Sequence, residues 1–509
     1  MLAWVGAWGG IGGLQGASEA MPGRPEEFFG LTNLWTFRLV ISAAAWRGLE
    51  PVERPGRPSG PGVPGMPGTP RGPGGPPGFD REFPWGWGEF HGAGADFTRV
   101  ALRFKGNSSF HLSRAGRKRP FKIDFDRDHP GRRLAGLEEL WLSNNANDPS
   151  QMREVLAYAV CRRAGLEAPR TALARVFLER PGEGPPEYLG VYTVVEAVGG
   201  DFLRRCFGTK KGLLAKPERL EGLAYLGPDW ENYPGRYEVK NDPAGADRRR
   251  LIELTRWVNE SPDAEFEAGL EERLDLTNWV RFLAVNALLA NLDSFLGNGH
   301  NYYLFLPHGD GRARFIPWDL NEAFGRHPMA GPPAWQADLA ILRPAAGRNR
   351  LVERFLASRR GAELYRAELG RLRSGPASLE RLLQDVDALA GVLEPAVAGE
   401  SPLARRQFGF AVLGQAHRAE GLEGRPGPEG GSFRGPPGPD GPRGPDLPLR
   451  DWIRLRHQNV GEQLEGKREG RLPMRRRPGP GPWPGRPGPG PAPGPPREPG
   501  VEDGFPPPP

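Results

Sequence analysis

Residues 291–325 read NLDSFLGNGHNYYLFLPHGDGRARFIPWDLNEAFG. Two acids, Asp293 and Asp319, each follow an apolar run, and two amides, Asn298 and Asn301, lie between them. Upstream, residues 279–290 (WVRFLAVNALLA) are apolar on nearly every side, as suits a buried helix, so Asp293 emerges where a rigid element ends. Gly297 and Gly299 open a loop, and Tyr302 to Leu306 read as a strand with Asn301 at its entrance. After the turn HGDG, residues 313–318 read as the partner strand, and Asp319 follows at once. The predicted unit is a helix, a polar loop and a hairpin with an acid at each end. Taken singly, each of these residues is equally an Asp or Asn of an ordinary turn.

Together they match how protein kinases build a phosphoryl-transfer centre, where one Asp orients the substrate hydroxyl while an Asn and a second Asp hold magnesium on the ATP phosphates. Asp293 and Asn298 keep the D-x-x-x-x-N offset of the kinase catalytic loop, whereas Asn301 is the amide that directly precedes the strand. Asp293 is therefore the catalytic candidate, and Asp319, Asn301 and Asn298 are candidate metal ligands. His300, a loop histidine beside glycine, reads as a hydrogen-bonding group rather than a catalyst.

The segments LRFKGNSSF, DPSQMREVLAYAV, YLGVYTVVEAV, GHNYYLF and IPWDLNEAFG, in this order, resemble the CotH family, kinase-like proteins named for a bacterial spore coat protein. The resemblance runs from about residue 30 to 466. It implies an α+β, kinase-like two-lobed fold, with a β-rich N-terminal lobe and a helical C-terminal lobe. It also implies ATP, with Mg2+ or Mn2+, and transfer of the γ-phosphate to Ser or Thr of a coat or surface protein. One position departs from the family: W-D-x-D is common there, and this chain has Trp318-Asp319-Leu320-Asn321, an amide in place of the second acid. A neutral ligand at that point weakens a second metal.

Working toward the N-terminus, TRVALRF (98–104) alternates as a half-buried strand, and the KGNSS after it is either a phosphate-cradling turn or a plain hairpin turn. PFKIDFD sets Phe121, Ile123 and Phe125 on one face and Lys122 on the other, where a kinase strand lysine would meet the ATP phosphates. Asp148-Pro149 starts a predicted helix ending near Gly165, with Glu154 opposite its apolar stripe, facing either solvent or a second surface such as the cleft. In the cleft Glu154 would anchor Lys122, although the family's Arg-Glu pair at this place leaves Arg153 as the other candidate. Residues 171–179 and 188–198 read as two strands. The second ends in Glu196, a candidate on the nucleotide side or a surface acid. Lys216 and Lys240 fall in short strand-like pieces, LLAKP and YEVKN, with no role readable from the residues. Residues 351–398 and 449–466 carry helical periodicity.

Gly 73 and Pro 58 exceed a quarter of the 509 residues, so the folded part is about 400 residues. The Pro/Gly-rich tracts 51–79 and 424–446 and the tail 467–509, densest from about 473, are expected to be disordered around and after a domain spanning 30–466. Lys+Arg 68 against Asp+Glu 62, a net charge of +6, suits an anionic ligand, and the absence of long basic blocks argues against nucleic acid. Two cysteines without metal spacing read as buried thiols. Within the N-terminal segment 1–29, residues 1–20 are apolar and small-residue rich but open without positive charge, which leaves a secretory signal and a misassigned start both open. The compartment, extracytoplasmic or cytoplasmic, is thus undecided. No stretch reads as a membrane span. HExxH, GxSxG and Walker A patterns are all missing. Two other readings accompany the kinase one: a non-catalytic coat scaffold, and a nucleotidyl transferase acting on protein.

Overall fold

The computed structural model describes residues 22–53, 81–414 and 447–473. The expected disordered tracts, apart from their edges, and residues 1–21 lie outside the described residues. Seven strands, β1 (Leu34–Val40), β2 (Gly86–Gly92), β3 (Ala95–Phe104), β4 (Phe121–Asp124), β5 (Glu139–Ser143), β6 (Thr171–Glu179) and β7 (Glu187–Glu196), close into a barrel in the order β1-β2-β3-β4-β5-β7-β6. Neighbours are antiparallel except β6 and β1, which run parallel from Leu34 opposite Leu173 to Val40 opposite Glu179. The alternation seen in the sequence holds: Val100, Leu102, Phe104, Phe121 and Ile123 are fully buried in the barrel core. Phe37, Phe90, Phe104, Phe121 and Phe125 pack there edge-on or tilted, with ring centres 4.9 to 5.4 Å apart. Burying each such ring stabilises the fold by about 2–3 kcal/mol.

The α+β content agrees with the sequence, but the two-lobed kinase-like fold does not. A closed barrel stands where the β-rich N-terminal lobe of a two-lobed kinase-like fold was expected. Alternation identifies strands and their inner faces, not which edges meet. Here the parallel β1–β6 pairing joins two remote segments and removes both edges of the sheet.

A second, three-stranded antiparallel sheet comprises β8 (Gly212–Ala215), β9 (Tyr302–Pro307) and β10 (Arg314–Pro317), with β9 in the middle. The last two are the predicted hairpin, and β8 is the strand predicted around LLAKP. YEVKN supplies only a single bridge, Val239 to Ala215. Helix α1 (Arg153–Arg163) begins later than the sequence suggested, because Gln151 takes φ +58° and interrupts it. The Asp148 carboxylate still caps the helix, accepting from the Met152 and Arg153 N–H groups at 3.0 and 2.8 Å. Helix α2 (Leu276–Leu288) is capped by Asp275 and buried from Trp279 onward on most sides. Trp279, Phe282, Phe295, Tyr302 and Phe315 form an aromatic cluster that fixes α2 against the hairpin. Helices α3 (Leu379–Ala398) and α4 (Leu449–Leu464) pack on each other, Arg456 of α4 donates to the carbonyls of Ala287 and Leu288 at the end of α2, and with the helices Arg350–Ala357 and Arg359–Ser374 they account for the predicted C-terminal helical pattern.

Candidate functional site

After α2 the chain turns sharply at Ala290, with φ +49°, and delivers Asp293 into a polar loop. Asp293 Oδ1 accepts from Asn298 Nδ2 at 2.7 Å and lies 2.7 Å from His300 Nε2; Oδ2 accepts from Asn301 Nδ2 at 2.9 Å. Asn301, itself at φ +57°, also accepts at its backbone oxygen from the Trp318 N–H at 3.1 Å, tying the two ends of the hairpin together. Gly299 is required: at φ +66° a Cβ there would stand 2.3 Å from the Leu220 carbonyl oxygen. Burial opposes ionisation of Asp293, but the hydrogen bonds from His300 and Asn298 and the charges of His300 and His327 prevail and hold its carboxyl well below the usual range.

Asp319 begins a short 3-10 turn (Leu320–Glu322) at φ +52°, and its N–H donates to the Tyr158 hydroxyl at 3.0 Å. Tyr158 and Glu154 lie four residues apart on α1, so the helix turns both toward Asp319. Glu154 is 3 % exposed. Ser143 accepts from Lys105 Nζ at 3.2 Å, and both Ser143 and the Lys105 charge favour the ionised form of Glu154. Glu154 Oε2 has no hydrogen-bond partner among the described residues. Burial and then the charge of Asp319 push the Glu154 carboxyl up to about 7, against Lys105. Burial likewise raises Asp319, with Lys105 opposing it and Asp293 adding to it. Lys105 lies 5.3 Å from the Trp141 ring centre, and Trp141 meets Trp318 edge-on at 4.9 Å. Lys216, paired with Glu218, completes the group; burial works against its ammonium, but Glu218 holds its pKa raised.

Backbone strain is concentrated here. Ten non-glycine residues among those described have positive φ, and Asn145, Gln151, Ala290, Asn301, Asp319 and Phe324 fall in the three segments that build the site. Each costs on the order of 1 kcal/mol, a cost that persists where position matters more than stability.

Asp293, Asn298, Asn301, Asp319 and Glu154, all singled out from the sequence, therefore come together. Lys122 and Glu196 do not join them. Lys122 keeps its predicted outward face, but its ammonium pairs with Glu139 and lies beside the Trp141 and Trp85 rings instead of meeting Glu154. Glu196 spends both carboxylate oxygens on Arg170 and Arg205, at 2.8 and 2.6 Å. Arg153 likewise turns away, to Asp148. Sequence reasoning missed Lys105, Lys216, Tyr158, Glu322 and His327 as site residues. The signal for Lys105 was present, since it shares the outward parity of Arg103 on β3. One ligand atom each from Asp293, Glu322 and His327 lie within 4.8 Å of one another, a donor set able to hold a cation. No helix among the described residues is long and apolar enough to cross a membrane.

A family model described as CotH kinase protein matches residues 102–406, a span that includes every residue of this group. The chain is also similar to the inner spore coat protein H of Bacillus subtilis (strain 168), 26% identical over 218 residues, which are 41% of this chain. The match spans 56% of that relative's length.

Proposed function

The chain belongs to the CotH kinase protein family, and from that premise we propose that it transfers the γ-phosphate of ATP to a Ser or Thr hydroxyl of a coat or surface protein. The observation that carries this reading is the convergence of two half-buried lysines, Lys105 and Lys216, with Asp319 and Glu154, beside an Asp293 whose carboxylate is held by three side chains. Oxygen donors suit Mg2+ or Mn2+, ammonium groups suit phosphate oxygens, and the unpartnered Glu154 Oε2 leaves a buried acceptor available to a ligand. Asp319, with Asn301 or Asn298, would hold the divalent cation; Lys105 and Lys216 would hold phosphate, with the Ser143 hydroxyl and the Glu154 charge keeping Lys105 in place. When bound, the cation neutralises charge on the phosphates and favours departure of ADP. Asp293, with its proton affinity held low, is a weak base. Its role is to accept a hydrogen bond from the acceptor hydroxyl and aim it.

A second reading, a coat scaffold without turnover, is favoured by the name of the Bacillus subtilis relative alone. The deciding experiment incubates the full chain with ATP labelled at either the α or the γ position and a mixture of coat-type proteins. Label from the γ position on Ser or Thr is the expected result. Label from the α position means nucleotidyl transfer, and no label from either means the scaffold reading holds.

A further inference from the structure

The turn after Asp319 carries two groups that the phosphoryl-transfer reading leaves unused, Glu322 and His327. Their side chains are 13 % and 8 % exposed, and Glu322 Oε2 stands 2.5 Å from His327 Nδ1. The chain is forced to bring them together. Phe324 adopts φ +56° while its N–H donates to the Leu289 carbonyl at 2.9 Å. Gly325, at φ +74°, lies so close to α4 that a Cβ would stand 2.1 Å from Trp452 Nε1. Surrounding groups hold the pair. Asn147 Nδ2 donates to Glu322 Oε1 at 3.3 Å, Arg326 Nε donates to the Asn147 carbonyl at 2.7 Å, and Gln336 Nε2 donates to the His327 carbonyl at 2.9 Å. Such outer supports are what orient metal ligands.

We propose that Asp293, Glu322 and His327 form a binding site for a Mn2+-class divalent cation that takes up its ion without nucleotide. Three donors from separate points of the loop and the turn converge within 4.8 Å. Two carboxylates and one imidazole are a mixed oxygen and nitrogen set. It suits manganese or zinc better than magnesium, which keeps several waters and prefers oxygen alone. The cation enters between Glu322 and His327, which open from 2.5 Å to about 3 Å, the spacing of two donors on one ion. The site shares Asp293 with the proposed transfer centre but needs neither ATP nor acceptor, so the two ideas fail separately.

The test uses the full chain stripped with chelator, in nucleotide-free buffer, titrated with Mn2+ and followed by electron paramagnetic resonance. Wild type is expected to take up one tightly held Mn2+ showing coupling to a nitrogen nucleus, with Mg2+ competing at least about tenfold less well. Glu322→Gln and His327→Gln should each weaken uptake at least about tenfold, while Lys122→Ala, whose ammonium pairs with Glu139 outside the group, leaves it unchanged. Absence of nucleotide-independent Mn2+ uptake by wild type overturns the proposal. Bound Mn2+ without nitrogen coupling does so too, and that reading stands even if the variants fail to fold. Wild-type affinity in both Gln variants shows instead that the group only braces the turn. Loss of phosphate transfer with Mn2+ uptake intact counts against the kinase reading alone.

Discussion

His300 Nε2 lies 2.7 Å from Asp293 Oδ1, the same oxygen that Asn298 reaches at 2.7 Å. With Asn301 on the other oxygen, the carboxylate is held from three sides and cannot rotate without breaking a hydrogen bond. A group that aims a hydroxyl depends on such restraint. Replacing His300 with Ala is expected to lower kcat for phosphate transfer about tenfold while leaving nucleotide affinity unchanged, and His300→Gln should recover part of the loss. Steady-state kinetics separates this from a structural role, which would move KM, kcat and the melting temperature together.

Lys105 and Lys122 point to the same outer face of the barrel, yet Lys105 reaches Ser143 and feels the charges of Glu154 and Asp319, whereas Lys122 pairs with Glu139. Lys105→Ala should reduce metal-dependent ATP affinity by about a hundredfold, because a half-buried ammonium facing phosphate is lost. Lys122→Ala removes a half-buried pair with Glu139 and should cost about 1 kcal/mol or less of stability with ATP affinity kept within about threefold. Calorimetric titration of both variants with MgATP checks this; the opposite ranking would restore Lys122 as the phosphate lysine.

This pair also shows what was legible in the sequence and what was not. Period-two alternation correctly assigned Lys122 an outward face and Phe121 and Ile123 an inward one, because that pattern is a property of one strand. Which lysine reaches the site depends on cross-strand register. Lys122 stands opposite Trp141 on β5, whereas Lys105 lies beyond β3 and reaches Ser143 at the end of β5. The hairpin and its acids were readable for the same local reason, as was the buried helix before them. Closure of the barrel was not, since it rests on the parallel pairing of β1 with β6, between segments that carry no mutual signal. Glu322 and His327 escaped notice because a turn without periodicity hides which side chains meet.

Cys161 gives a stability prediction independent of the site. Burial pushes its thiol up to about 12, with the Arg162 charge opposing. In the unfolded chain the thiol ionises near its ordinary value, so between about pH 9 and 12 the unfolded state has released a proton that the folded state still holds. Stability therefore falls as pH rises through that window, by about 1.4 kcal/mol per pH unit from this group, and is unaffected below it. Buried tyrosines add to the same decline, so the quantity to measure is a difference. Urea unfolding at pH 8 to 11 should show a shallower loss of stability with pH for Cys161→Ala than for wild type, after a constant penalty of about 1–2 kcal/mol for the lost side chain. Parallel curves would mean that Cys161 is not protected by the fold.

The two acids carry the functional claim and should fail differently. Asp319 lies among Lys105, Glu154 and Lys216, with its backbone N–H fixed on Tyr158. If its carboxylate is on the cation, Asp319→Ala removes transfer and also weakens metal-dependent nucleotide binding. Asp293 is enclosed by donors, and Asp293→Asn keeps its size and one accepting oxygen. Nucleotide should then still bind, while transfer falls about 10²-fold or more, as expected when the group that aims the acceptor hydroxyl is altered. Neither change should disturb the fold, since both side chains are half-buried in a polar cluster and leave the aromatic core behind α2 untouched. The measurement is paired: MgATP affinity by calorimetry and γ-phosphate transfer, for wild type and both variants. Equal affinity and equal transfer in all three proteins would remove these acids from the chemistry, and loss of nucleotide affinity in Asp293→Asn but not in Asp319→Ala would exchange their roles.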